Sequence, residues 1–228
     1  MQLNRVVPWG RSFAEYVDMF GLTPTELRSS IIDCGGGPAS FNAELTRGNG
    51  RVVSCDPLYS LSAADIRDQI ETTYDTILNQ TLQYRDRYVW DAIPTPEDLG
   101  RVRMAAMSQF LDDYEIGRQA SRYRVGQLPH LPFAAGQFDL AQCSHFLFTY
   151  SDRLTRSFRV ESILEIGRVA REVRIFPLVD LSGQPSQWLK PVREDLERAG
   201  WWSELETARY KFQRGGNRCL RVRRHQPE

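Results

Sequence analysis

The stretch from Ile31 to Tyr59 constrains this chain more than any other. Ile31 and Ile32 lead into Asp33, and Gly35, Gly36, Gly37, Pro38, Ala39 and Ser40 follow almost at once. A short amphipathic segment then carries Phe41 and Leu45 on one side, until Gly48 and Gly50 break it. A second apolar pair, Val52 and Val53, ends at Cys55 and Asp56. Strand, glycine loop, helix, and strand with a terminal carboxylate make half of a nucleotide-binding α/β sheet. Without Cβ atoms, such a loop lets backbone N–H groups come close to a ligand where the helix begins. Asp56, at the carboxyl end of the second strand, can accept hydrogen bonds from both hydroxyls of a ribose. A glycine triplet alone signifies a turn. Two carboxylates at two strand ends flanking the triplet are more specific.

Spacing within the loop separates two cofactor classes. A dinucleotide site calls for a third glycine three residues after the second, where the helix packs under a pyrophosphate. That position holds Ser40, which disfavours NAD(P) without excluding it. The run from Asp33 to Ala39 instead resembles motif I of the class I S-adenosylmethionine-dependent methyltransferases, D-x-G-x-G-x-G, with Ala39 replacing the last glycine. A second run is similar to that family's G-D-A…L-P-F…F-D-L-V: Gly126-Gln127-Leu128, then Leu131-Pro132-Phe133, then Phe138-Asp139-Leu140-Ala141. The resemblance implies S-adenosylmethionine as cofactor and S-adenosylhomocysteine as product. It assigns Asp33, Gly35, Gly36 and Gly37 to the methionine end and Asp56 to the ribose. Pro57 and Leu58 would lie against the adenine, and Gln127, where the family often has an acid, would accept from it beside the Leu128 N–H. A leading segment in this family often closes over the cofactor. Here Trp9, Arg11 and Tyr16 could do so, Arg11 pairing with the methionine carboxylate and Tyr16 donating to it.

The remaining chain fits an open α/β sheet. Two capping motifs, Ser12 to Glu15 and Thr23 to Glu26, predict two short helices in a flap over residues 1–29. Residues 60–120 exceed what a crossover needs. Ser62/Asp65 and Thr95-Pro96-Glu97-Asp98 start two long helical patterns, the first through Ile66, Ile70, Tyr74 and Ile77, the second through Leu99, Val102, Ala106, Phe110 and Tyr114. One of them is expected to be a lid over the substrate side, with Tyr84, Tyr88 and Trp90 as an apolar wall. A third strand is expected at 122–125 and a fourth from Phe138. A helix over 156–172, a fifth strand to Leu178 near Asp180, and a helix over 191–199 follow. Two alternating stretches, 202–212 and 218–223, read as a hairpin joined at Gly215-Gly216-Asn217. The fold expected is one doubly wound, mostly parallel α/β domain with helices on both faces, a helical lid and a C-terminal antiparallel hairpin.

At the end of the fourth strand stand Ser144 and His145, where methyl group and acceptor should meet. The N/D-P-P-Y/F motif of nucleobase amino-methylating enzymes is absent there. Ser144 is expected against the cofactor, and His145 is the candidate general base or acceptor-orienting group, with packing beside the cofactor as the alternative. Tyr150, Asp152 and His130 are weaker candidates. Lysine plus arginine and aspartate plus glutamate number 29 each, so net charge gives no support for bulk binding to nucleic acid or an anionic membrane. Four cysteines, scattered through apolar runs with no C-x-x-C pair, argue against zinc and a disulfide scaffold. No metal site is expected. With no apolar span and no signal-like N-terminus, a cytoplasmic protein is expected. The function expected is methyl transfer to a small-molecule acceptor, with a homodimer left open. A non-catalytic binder of the same cofactor is the alternative, and an NAD(P)-dependent enzyme a weaker one.

Overall fold

The computed structural model describes residues 8–225; the first seven residues, part of the segment read as a flap and as no leader, lie outside the described residues. Helix α1, Phe13–Phe20, starts as its sequence predicts. The Ser12 hydroxyl accepts from the Glu15 N–H, and the Glu15 carboxylate accepts from the Ser12 N–H. The second capping motif forms its local bonds between Thr23 and Glu26 but yields only a single 3₁₀ turn, Glu26–Arg28. The chain must enter strand β1, Ser30–Cys34, two residues later, and the Glu26 carboxylate is drawn to Arg174 across the fold.

Next come α2 (Phe41–Arg47), β2 (Arg51–Cys55), α3 (Ala63–Gln83), α4 (Pro96–Gln119) and β3 (Tyr123–Arg124). The chain ends with β4 (Phe138–Ser144), α5 (Arg156–Val169), β5 (Ala170–Phe176), α6 (Leu189–Arg198), β6 (Trp201–Thr207) and β7 (Arg218–Arg224). The sheet order is β3-β2-β1-β4-β5-β7-β6. The first five strands pair in parallel, and β7 runs antiparallel to both β5 and β6. Helix α5 is shorter than expected because residues 170–172 already belong to β5, where Ala170 pairs with Phe138 and Glu172 with Leu140. Ladder hydrogen bonds to β4 outweigh the helical pattern there.

Strand periodicity sorts the core into two layers. Ile31 faces α1 and α2 with Tyr16, Phe20, Phe41 and Leu45, while Ile32 and Cys34 face α5 and α6 with Ile163, Ile166, Val192 and Leu196. Helix α4 is the crossover cover, packing on α2 and β3, and α3 packs on α4 as the added element. Between them Tyr59, Phe110, Tyr114 and Tyr123 form an aromatic knot with ring centroids 5.0 to 6.0 Å apart. Each such pair contributes about 0.5–1.5 kcal/mol beyond area burial. The C-terminal pair is not joined by a tight turn. Residues 208–217 form a loop that reaches back across the sheet edge, with Arg214 N–H donating to Arg87 O at 2.9 Å and Phe212 O accepting from Val89 at 2.7 Å. Among the described residues, no helix is long and apolar enough to cross a membrane.

Candidate cofactor and acceptor cavity

The carboxyl ends of β1, β2 and β4 open into one cavity of about 620 Å³, within the range of small-molecule sites. Parallel strands end on one edge, so their loops converge there. Gly35, Gly36 and Gly37 line it on one side, and Asp56, Pro57 and Leu58 beside them. Gln127 and Leu128 form a further wall, and Ser144, His145, Arg11 and Tyr16 complete the set. These expected residues are therefore brought together, with one exception. Asp33 is 1% exposed and does not line the cavity. It sits beneath the glycine loop, where a Cβ on Gly36 would fall 2.2 Å from Asp33 Oδ2. Its oxygens accept from Tyr16 Oη at 3.4 Å and Ser54 Oγ at 3.4 Å. Burial, reinforced by the charge of Asp56, pushes its carboxyl up to about 7.

The loop's amides also differ from expectation. Gly35 N–H donates to Cys55 O at 2.8 Å and Gly37 N–H to Asp56 Oδ2 at 3.0 Å. Those two donors are spent inside the protein, so at these positions the loop contributes room. Gly35 and Gly37 have φ of 69° and 53°, which favours glycine, and a Cβ on Gly37 would meet nothing within 4 Å. Asp56 is fixed by the Gly37 N–H and by the Leu58 N–H at 2.8 Å, and burial raises its carboxyl above the usual range. Asp56 lines the cavity and keeps acceptor capacity beyond those two bonds. It thus offers the acceptors a ribose diol needs, so the residues present fit the expected cofactor.

The Gln127 side chain is exposed at the rim, and the residue's backbone carbonyl accepts from His130 N–H at 2.9 Å. Ser144 Oγ lies 2.8 Å from His145 Nδ1, and the His145 N–H donates to Phe176 O at 2.6 Å. His145 has φ of 51°, a left-handed backbone that costs a non-glycine residue roughly 1–3 kcal/mol and clusters at functional sites. Burial, with the charges of Arg11 and Arg103, holds its imidazole well below its ordinary value of 6.5. The ring is neutral at physiological pH, suited to orienting a proton-bearing group more than to removing its proton. Tyr150 lines the cavity, whereas Asp152 and His130 are exposed and do not. Asp180 does not reach it either. Its Oδ1 accepts from the Ser182 and Gln184 N–H groups and ties the loop after β5.

The cavity also includes a lobe of which the sequence reading anticipated Tyr88 but not the polar groups. Arg103 from α4, 0% exposed, donates to Glu15 Oε2 at 2.6 Å and to Tyr210 Oη at 3.2 Å. Tyr210, from the β6–β7 loop, donates in turn to Glu15 Oε1 at 2.9 Å. This triangle joins three distant segments. Burial alone would raise the Glu15 carboxyl, but the charge and hydrogen bond of Arg103 outweigh it and hold the group at about 2. Tyr88 and Phe212 line the cavity and stack at 4.9 Å, with Trp90 edge-on to Phe212; of the expected aromatic wall, Trp90 and Tyr84 do not line it. Ile77 and Thr81 of α3 also line the cavity. The sequence signal for its polar side was Arg103 itself, a cation interrupting the apolar stripe of Leu99, Ala106 and Phe110.

Among solved structures, a mitomycin 7-O-methyltransferase superposes with a TM-score of 0.50 at 12% identity, covering 93% of this chain and 54% of that one. The chain thus spans about half the length of that enzyme. A magnesium protoporphyrin IX methyltransferase from Synechocystis, solved with bound S-adenosylhomocysteine, gives 0.48 at 13% identity over 92% of this chain and 81% of that one. The strand order and the antiparallel β7 are those of the class I S-adenosylmethionine-dependent methyltransferase fold, and this chain has that fold. At the level of sequence it is similar to an uncharacterized protein of Methanocaldococcus jannaschii. The two are 29% identical over 226 residues, 98% of this chain and 99% of the other. No protein-family model matches the chain.

Proposed function

We propose that this protein transfers the methyl group of S-adenosylmethionine to a small-molecule acceptor. The observation that carries the reading is one cavity with two differently built ends: a ribose-competent carboxylate beside a glycine loop at one, and an aromatic and arginine-bearing lobe at the other. Gly35 to Gly37 would give room to the methionine end, and Tyr16 would contact its carboxylate. Asp56 would hold the ribose, and Pro57, Leu58, Gln127 and Leu128 would enclose the adenine. When bound, the cofactor supplies an electrophilic methyl on a positively charged sulfur. In-line displacement there calls for alignment and exclusion of water. The flap serves both: Ser40 N–H donates to Arg11 O at 3.0 Å, and Trp9 packs on Tyr74 of α3 at 5.9 Å. Ser144 would set the His145 ring, and His145 would orient the acceptor's nucleophilic group.

Calorimetric titration with S-adenosylhomocysteine, with NAD in parallel, tests the cofactor class. Micromolar binding of the first alone is expected, and binding of NAD alone, or of neither, would overturn the reading. A second expected result concerns His145→Ala. With an acceptor found by screening, turnover should fall by about 10²-fold while S-adenosylhomocysteine affinity stays within about twofold. Equal losses in both would make His145 a binding residue.

A further inference from the structure

The lobe at Arg103 holds a cation without a counter-charge. The Arg11 guanidinium donates from Nη1 to the Trp9 carbonyl at 3.1 Å, while its buried Nε has no acceptor. Among the described residues no carboxylate lies within ion-pair distance of it. Burial, together with the like charge of Arg103, presses the Arg11 value down. Glu15 is fully engaged by Arg103, Tyr210 and Ser12. Two arginines against one carboxylate leave this wall with one surplus positive charge. Among the described residues that line the cavity, Asp56, beside the glycine loop, is the only carboxylate. A cation kept in a low-dielectric wall without a partner is costly unless a ligand completes it.

The proposed cofactor does not complete it, because its amino-acid part is a zwitterion and its sulfonium adds a further positive charge. Resting on the methyl-transfer reading, we infer that the acceptor is an apolar small molecule carrying a single carboxylate-type anion, received at Arg11 within the lobe. One surplus charge matches a monoanion better than a phosphate dianion. The body of the molecule would lie against Ile77, Tyr88, Leu99, Phe176 and Phe212, which offer apolar and aromatic surface. Planar guanidinium geometry suits a carboxylate, whose two oxygens take parallel hydrogen bonds.

The test uses protein saturated with S-adenosylhomocysteine and two matched probes, benzoate and benzamide. Benzoate should bind at millimolar concentration or better, and at least about tenfold more tightly than benzamide, the size of one charge-assisted contact. Arg11→Met should bring benzoate to the level of benzamide; Arg11→Gln serves if the methionine variant does not fold. Equal binding of both probes to the unmodified protein, or no benzoate binding, would overturn the inference. So would an Arg11→Met variant that keeps its preference for benzoate but no longer distinguishes S-adenosylhomocysteine from 5′-methylthioadenosine. That result would give Arg11 to the cofactor's carboxylate alone. Failure of S-adenosylhomocysteine itself to bind would strike the methyl-transfer reading, and the benzoate–benzamide comparison on the free protein would still decide the anion site.

Discussion

Replacing Asp56 by alanine is expected to weaken S-adenosylhomocysteine binding by one to two decades in a calorimetric titration. The carboxylate would lose charge-assisted hydrogen bonds to a ribose diol, worth about 1.5–3 kcal/mol. It would also release Gly37, whose N–H it holds at 3.0 Å, so the loop facing the methionine end would lose its anchor. Asp56→Asn separates the two contributions, because an amide oxygen can still take the Leu58 N–H at the position of Oδ1 but brings no charge. It should fall between the parent and the alanine variant. Affinity unchanged in Asp56→Ala would remove this residue from the ribose site.

The largest effect on stability is expected for Glu15→Gln. The substitution leaves Arg103, which is 0% exposed, without its only carboxylate. Removing one partner of a buried ion pair costs about 3–5 kcal/mol, which in a chain of this size lowers the melting temperature by roughly 10 °C. Acid titration of the parent protein gives an independent measure. The Glu15 carboxyl falls from an ordinary value of 4.5 to about 2 in the fold. The folded state therefore binds fewer protons than the unfolded state between those values. The stabilisation, roughly 3 kcal/mol, is complete above pH 4.5 and lost as pH falls toward 2. Glu15→Gln should flatten that part of the stability–pH curve. A variant that melts with the parent and keeps its acid sensitivity would show that the triangle with Arg103 and Tyr210 contributes nothing.

Residues adjacent in sequence were legible, and those that meet only through the fold were not. The glycine loop and Asp56 lie at the ends of strands whose apolar runs could be read directly, while the Gln127-Leu128 wall was expected from the family resemblance. Parallel pairing then brings those ends to one edge. Asp33 illustrates the limit: its place in the motif was clear, but the pleat turned its side chain beneath the loop, where it meets Tyr16 and Ser54. The same limit explains Asp180, which is near the edge in sequence yet bound to its own loop.

What the sequence by itself determined is the α/β class, the order of elements and the cavity end built by the glycine loop and Asp56, because capping chemistry and strand periodicity act over a few residues. Only the tertiary structure decided the lobe at Arg103. Glu15, Arg103 and Tyr210 come from α1, α4 and the β6–β7 loop, and nothing local in the chain marks their meeting. Their convergence follows from packing the added helices on the sheet edge and folding residues 208–217 back across it. Long-range packing set that geometry, and with it the surplus charge at Arg11.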